Sequence, residues 1–174
     1  MDTRTSKTLE MIIPAFRMQT QIFDNVLSGI KEEDALKRIE GRTNHIIWMA
    51  GNLVNCRYWL ADVLGIKDKD PHEDLFAQAK ALNEKFQYPS LKALKSEWHK
   101  ISPVLHKRLL SVTEKELQQP YESGMKVDFI KENKLNMIGM TLDRQSYLFG
   151  QIGLMRRILG YEGIKYDINK ALNY

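Results

Sequence analysis

The sequence predicts an all-α protein: one domain over residues 1–174, built as a four-helix bundle with a long crossover between its second and third helices. Three observations carry this. Four segments place apolar residues at the three-and-four spacing of a helix, and no strand-helix alternation competes with them. A chain of 174 residues is long enough for one sizeable core and too short for two ordinary domains.

In the first segment Leu9, Ile12, Ile13, Phe16, Thr20, Phe23 and Leu27 recur at helical spacing and close at Ser28-Gly29, a C-cap pattern. Pro14 falls inside it, so this helix begins or bends there. After a polar connector, Thr43 is predicted to cap a second helix running to Gly65. At about 100° per residue, Trp48, Met49, Cys56, Trp59 and Val63 share one stripe of this helix with His45 and Asn52. Residues 67–89 lose the pattern and are predicted as a loop with a short helix around Asp74 to Asn83. From Ser90 the period returns through Leu91, Leu94, Trp98, Ile101, Leu105, Leu109 and Val112, in phase across Pro103, which predicts a kink rather than a break. Val127, Phe129 and Ile130 pass as a short extended piece. The fourth helix runs from Asn133 to Leu159 and ends at Gly160, with Met137, Met140, Leu148, Met155 and Ile158 on the stripe that also carries Arg144 and Gln151.

Composition excludes several classes of function. Cys56 is the single cysteine, which rules out an internal disulfide or a multi-cysteine zinc site and fits a reducing compartment. The N-terminal stretch lacks an apolar leader segment and no apolar run reaches membrane-spanning length, so the expected location is cytoplasmic and no membrane partner is expected. The net charge of +4 comes from 26 basic and 22 acidic residues that are mostly interleaved, without a basic arm or a groove-reading motif, so nucleic acid is not an expected partner.

Two stretches go beyond periodicity. The run Trp48-Met-Ala-Gly51-Asn52-Leu53 and the run from Arg144 through Tyr147, Leu148, Gly150-Gln151-Ile-Gly-Leu to Gly160 resemble the DinB-like (DinB/YfiT) helical bundle family. Tyr88-Pro89-Ser90 and the Leu117-x-x-Pro120 step fit the same order, so the resemblance covers most of the chain. It implies a four-helix bundle, a homodimer, and a divalent metal held by three histidines, one on the second helix and two four apart on the fourth. In better-understood relatives that metal activates a low-molecular-weight thiol. Carried over by position, the three ligands fall on Asn52, Arg144 and Leu148. Arginine has no lone pair to give, leucine has no ligand atom, and an asparagine carbonyl is a weak ligand for zinc or nickel.

The resemblance therefore implies a bundle that has lost its metal site, with no cofactor and no catalytic residue. Its pocket is expected around Asn52, Arg144, Tyr147 and Gln151, with His45 two turns before Asn52, and a small anion is the expected ligand. Arg144 reads either as that cation or as a structural arginine paired with an acid or with carbonyls. Asn52 and Gln151 read more simply as structural amides, and His45 as a hydrogen-bonded core histidine. The alternative is an enzyme with a rebuilt site drawn from His45, Asn52, Asp143 and Cys56, acting on a thiol or small electrophile.

Overall fold

A computed structural model describes residues 6–172 and 174; the start of the N-terminal stretch, residues 1–5, lies outside the described residues. The described chain is all-helical, as the sequence predicts. A 3-10 turn at Lys7–Leu9 leads into α1 (Ile12–Leu27), followed by α2 (Glu32–Ala35), α3 (Ile46–Val63), α4 (Glu73–Phe76), a 3-10 turn at Ala77–Ala79, α5 (Leu91–Leu109), α6 (Glu114–Leu117) and α7 (Lys134–Ile158). No helix among the described residues is long and apolar enough to cross a membrane.

Local chemistry sets the helix ends. Pro14 stands in the first turn of α1, where its missing N–H has no helical partner to lose. Ser90 caps α5 by accepting from the Ala93 amide at 3.1 Å, and Asn133 caps α7 by accepting from Asn136 at 2.9 Å. The cap of α3 is not Thr43, as predicted, but His45, whose Nδ1 accepts from the Trp48 amide at 2.9 Å. Thr43 instead accepts from the Ile39 amide through its hydroxyl at 2.9 Å, which fastens the connector before α3. At the other ends Gly65 and Gly160 take the left-handed region, with φ of 78° and 88°. The next amides, Ile66 and Tyr161, can then return to the carbonyls of Ala61 and Arg156 at 2.8 and 2.9 Å.

The four long helices pack on one core. α3 rests on both α5 and α7, and α1 closes the opposite side against the same two helices. All seven apolar positions predicted for the third long segment are buried, and α5 is continuous through Pro103. Trp98 stacks on Phe23 with ring centroids 4.2 Å apart and meets Phe149 edge-on at 6.2 Å, so aromatic contact joins α1, α5 and α7. Each such fully buried large side chain contributes roughly 1.5–3 kcal/mol. α3 is buried from Ile46 to Val54 without a break because the segment after it folds over its outer side. There Phe76, fully buried, lies so close to Gly51 that a Cβ at 51 would stand 2.0 Å from its Cζ.

Two expectations need correction. Val127 to Ile130 form no strand, and Phe129 is 89% exposed. The one extended contact nearby is an isolated bridge between Pro120 and Asn133. On α7 Met137, Leu148 and Met155 are buried as predicted, but the buried face also takes in Ile138, Thr141, Gln145, Phe149, Ile152 and Arg156, which shifts its phase away from the half-buried Met140, Arg144 and Gln151. Ile158 is half exposed.

Candidate functional site

That phase difference changes which polar groups face the core. Arg144 is half-buried on the flank of α7, with its guanidinium carbon 5.4 Å from the centre of the Tyr147 ring, and Tyr147 is itself 56% exposed. The Arg144 side chain has no hydrogen bond or ion pair among the described residues, and the same holds for the half-buried Gln151. Asn52 is buried, and its Nδ2 donates to the Trp48 carbonyl of its own helix at 3.1 Å. The structure therefore places Arg144 and Tyr147 side by side and engages Asn52 within α3.

His45 lies at the opposite end of α3 from Cys56, eleven residues away or roughly 16 Å along the axis. Its ring meets Tyr88 edge-on at 4.8 Å and lines a cleft of about 750 Å³ with Arg38, Glu84 and Phe86. Burial pulls its pKa down to about 4, so it is neutral at pH 7, and the Arg38 charge acts in the same direction. Cys56 is half-buried, and burial pushes its thiol up to about 11 against the opposing charges of Arg144 and Arg57. A neutral thiol is a poor nucleophile. Asp143 is exposed. Among the described residues no hydrogen bond or ion pair joins His45, Asn52, Asp143 and Cys56 to one another.

The three positions that the resemblance would give to metal ligands offer little to a metal. Leu148 is fully buried and offers no donor atom, Arg144 offers only N–H groups, and Asn52 is engaged with its own helix. Among the described residues no group of three or more His, Cys, Asp or Glu side chains is arranged to hold a metal ion.

The arginine that does face the core is Arg57, which the apolar periodicity passes over. It is fully buried, with its guanidinium carbon 3.7 Å from the Phe16 ring centre and 4.2 Å from that of Trp98. Nε donates to Gln145 Oε1 at 3.0 Å and Nη2 to the Phe16 carbonyl at 3.3 Å. No carboxylate pairs with it among the described residues. Burial pulls its pKa well down from the ordinary value, although a guanidinium starts high enough to stay charged at pH 7. A signal for it exists in the sequence: Leu53, Leu60 and Ala61 flank position 57 at the four-back, three-forward and four-forward steps, so the residue must share their inward face.

A second cluster escapes sequence reasoning because its partners come from another helix. His99 on α5 pairs with Asp24 on α1 at 2.9 Å, with Tyr174 Oη 3.4 Å from its other ring nitrogen. No family model matches this chain, and no curated protein matches it.

Proposed function

We propose that this chain is a DinB-like four-helix bundle, formed by α1, α3, α5 and α7 with residues 64–90 as the long crossover. On this reading it is a metal-free binding protein rather than an enzyme, with Arg144 as the cation that takes a small anionic ligand. Helix direction supports the bundle assignment. Tyr58 bonds to Glu97 and the Leu64 carbonyl accepts from Arg108, so α3 and α5 run the same way, as a long crossover requires. Gln19 reaches Leu142 and Arg156 reaches Val26, so α1 and α7 are likewise parallel.

The observation that carries the ligand assignment is the Arg144 side chain. It is a half-buried guanidinium against an aromatic ring, with no carboxylate to neutralise it among the described residues. Such a group presents N–H donors in a fork that matches a carboxylate or phosphate. Titration calorimetry with inorganic phosphate tests it: saturable binding is expected in the native chain and none in Arg144→Ala. Stoichiometric zinc or nickel in the purified protein, lost on Asn52→Ala, would overturn the metal-free reading. The homodimer implied by the resemblance is decided by sedimentation.

A second reading places a neutral planar ligand in the cleft at His45. The observation favouring it is the ring's tautomer. Nδ1 is committed as the cap acceptor, which leaves the proton on Nε2, and no group among the described residues accepts it. Resonance shifts on ligand addition that centre on His45 rather than Arg144 would select this reading.

A further inference from the structure

Four buried side-chain atoms have no protein partner among the described residues, and each long helix supplies one of them: Gln19 Oε1 from α1, Arg57 Nη1 from α3, Ser102 Oγ from α5 and Gln145 Nε2 from α7. Arg57, Ser102 and Gln145 are fully buried, and Gln19 is 6% exposed. Buried polar atoms are nearly always satisfied, so four open ones in a single core need a common cause.

The neighbours of these side chains place them at one level. Arg57 joins Gln145 directly and lies between the rings of Phe16 and Trp98. Ser102 stands one turn after Trp98 and one turn before His106 on the same face of α5, and Phe16 stacks on the His106 ring at 6.4 Å. Gln19, one turn after Phe16, is anchored to α7 at the Leu142 carbonyl and the Ser146 hydroxyl, on either side of Gln145.

The orientations of both amides are fixed by their existing bonds. Gln145 Oε1 accepts from Arg57, which can only donate, so the open Gln145 atom is a true N–H donor. Gln19 Nε2 donates to a carbonyl, so its open atom is a true acceptor. Two of the four atoms are therefore obligate donors, one of them on an unpaired cation, and the Ser102 hydroxyl can turn to donate as well. A water offers only two lone pairs to three donors and brings no compensating charge. An uncompensated buried cation is among the costlier features a core can hold.

We infer that the centre of the helical core is a site for one monatomic anion of halide size, held by Arg57 Nη1, Gln145 Nε2 and Ser102 Oγ. Gln19 Oε1, the lone acceptor, is served by a water beside it. The aromatic faces confine the ligand to the edge of the guanidinium, and with Nε and Nη2 engaged only Nη1 is open there, so the two-point fork that suits an oxyanion is not on offer. This site shares no residue with the Arg144 reading and stands or falls separately.

The test uses bromide and the full chain. Crystals grown with sodium bromide are expected to show an anomalous peak within hydrogen-bond distance of Arg57 Nη1. In solution, the thermal midpoint is expected to rise with bromide when gluconate holds ionic strength constant. Ser102→Ala, which retains the helix and its packing, should raise the bromide concentration for half the effect about tenfold, the usual worth of a hydrogen bond to a charged group. Gln145→Leu should abolish the effect, and Arg42→Ala, at an exposed surface cation outside both sites, should leave it intact. Ordered density at the site without anomalous signal, meaning water alone, would overturn the inference. So would a bromide effect that persists unchanged in both core variants or disappears in Arg42→Ala.

Discussion

Arg57 and Arg156 are both buried, at 0% and 6% exposure, and they are held in opposite ways. Arg156 spends its guanidinium on carbonyls. Nη1 donates to Asn25 and Val26 at 3.0 and 2.6 Å, Nη2 to Ser28 at 3.3 Å, and Nε to Glu162 at 2.6 Å. The carbonyls of Asn25, Val26 and Ser28 stand where α1 ends, so the positive group meets the negative end of the helix dipole, and that of Glu162 comes from the chain after α7. Arg57 has one amide oxygen, one carbonyl and two aromatic faces, and one nitrogen remains open. The difference teaches that backbone can stand in for a counter-ion where a helix terminates. In the middle of a helical core the carbonyls are already engaged by their own helices, so Arg57 shares one of them and is otherwise met by a side chain and two rings.

Removing each arginine tests that contrast, beginning with the largest effect. Arg57→Ala is expected to cost about 3–5 kcal/mol in urea denaturation, because it leaves a void between Phe16 and Trp98 and strands Gln145 Oε1. Arg57→Met, which keeps the volume and drops the charge, is expected to recover most of that loss. If alanine at 57 costs no more than alanine at 156, the contrast fails.

A buried polar ring that stays neutral gives an intermediate case. The His45 pKa in the folded chain is about 4, below the ordinary unfolded value, so the unfolded chain takes up the proton first as pH falls. Its contribution is complete above about pH 6.5, declines between there and pH 4, and amounts to about 3 kcal/mol at most. Replacing it with Asn, which keeps a capping acceptor, should flatten the slope of stability against pH in that window.

Arg156→Ala should cost about 2 kcal/mol, the worth of charge-assisted bonds at a half-open helix end. Lysine there should restore about half of it, since one ammonium cannot span carbonyls on three sides. The smallest effect belongs to Arg144→Ala, within about 0.5 kcal/mol, because that side chain holds no hydrogen bond among the described residues. A larger loss at 144 would make it a structural arginine and remove the basis for its ligand.

The helices were legible from spacing wherever apolar residues alone define the buried face. α5 is the clearest case, with every predicted position buried and its capping serine in place. On α7 Met137, Leu148 and Met155 were placed correctly, but the centre of the face was not, because Met140 and Ile158 are apolar without being fully buried, while Gln145 and Arg156 are buried without being apolar. A hydropathy pattern cannot see a glutamine whose partner is an arginine on another helix, or an arginine satisfied by the end of a third. The same blindness hid Arg57, although its flanking Leu53, Leu60 and Ala61 fixed its direction. Thr43 was read as the cap because hydroxyls usually serve there, whereas here the imidazole nitrogen of His45 takes the amide. Of the candidate ligand residues, Arg144 and Tyr147 do stand together, and Asn52 is drawn into its own helix.

The contact between Gly51 and Phe76 has a consequence for anyone who would transplant parts of this protein. The ring occupies the space that a side chain at 51 would need, so the two positions behave as one two-letter word rather than as separate residues. A segment 66–90 borrowed for another scaffold seats only on a helix with glycine at the matching position. A relative carrying alanine there needs a smaller residue in place of the phenylalanine. Exchange of this segment is therefore governed by compatibility at a single point, whatever else along its length has changed.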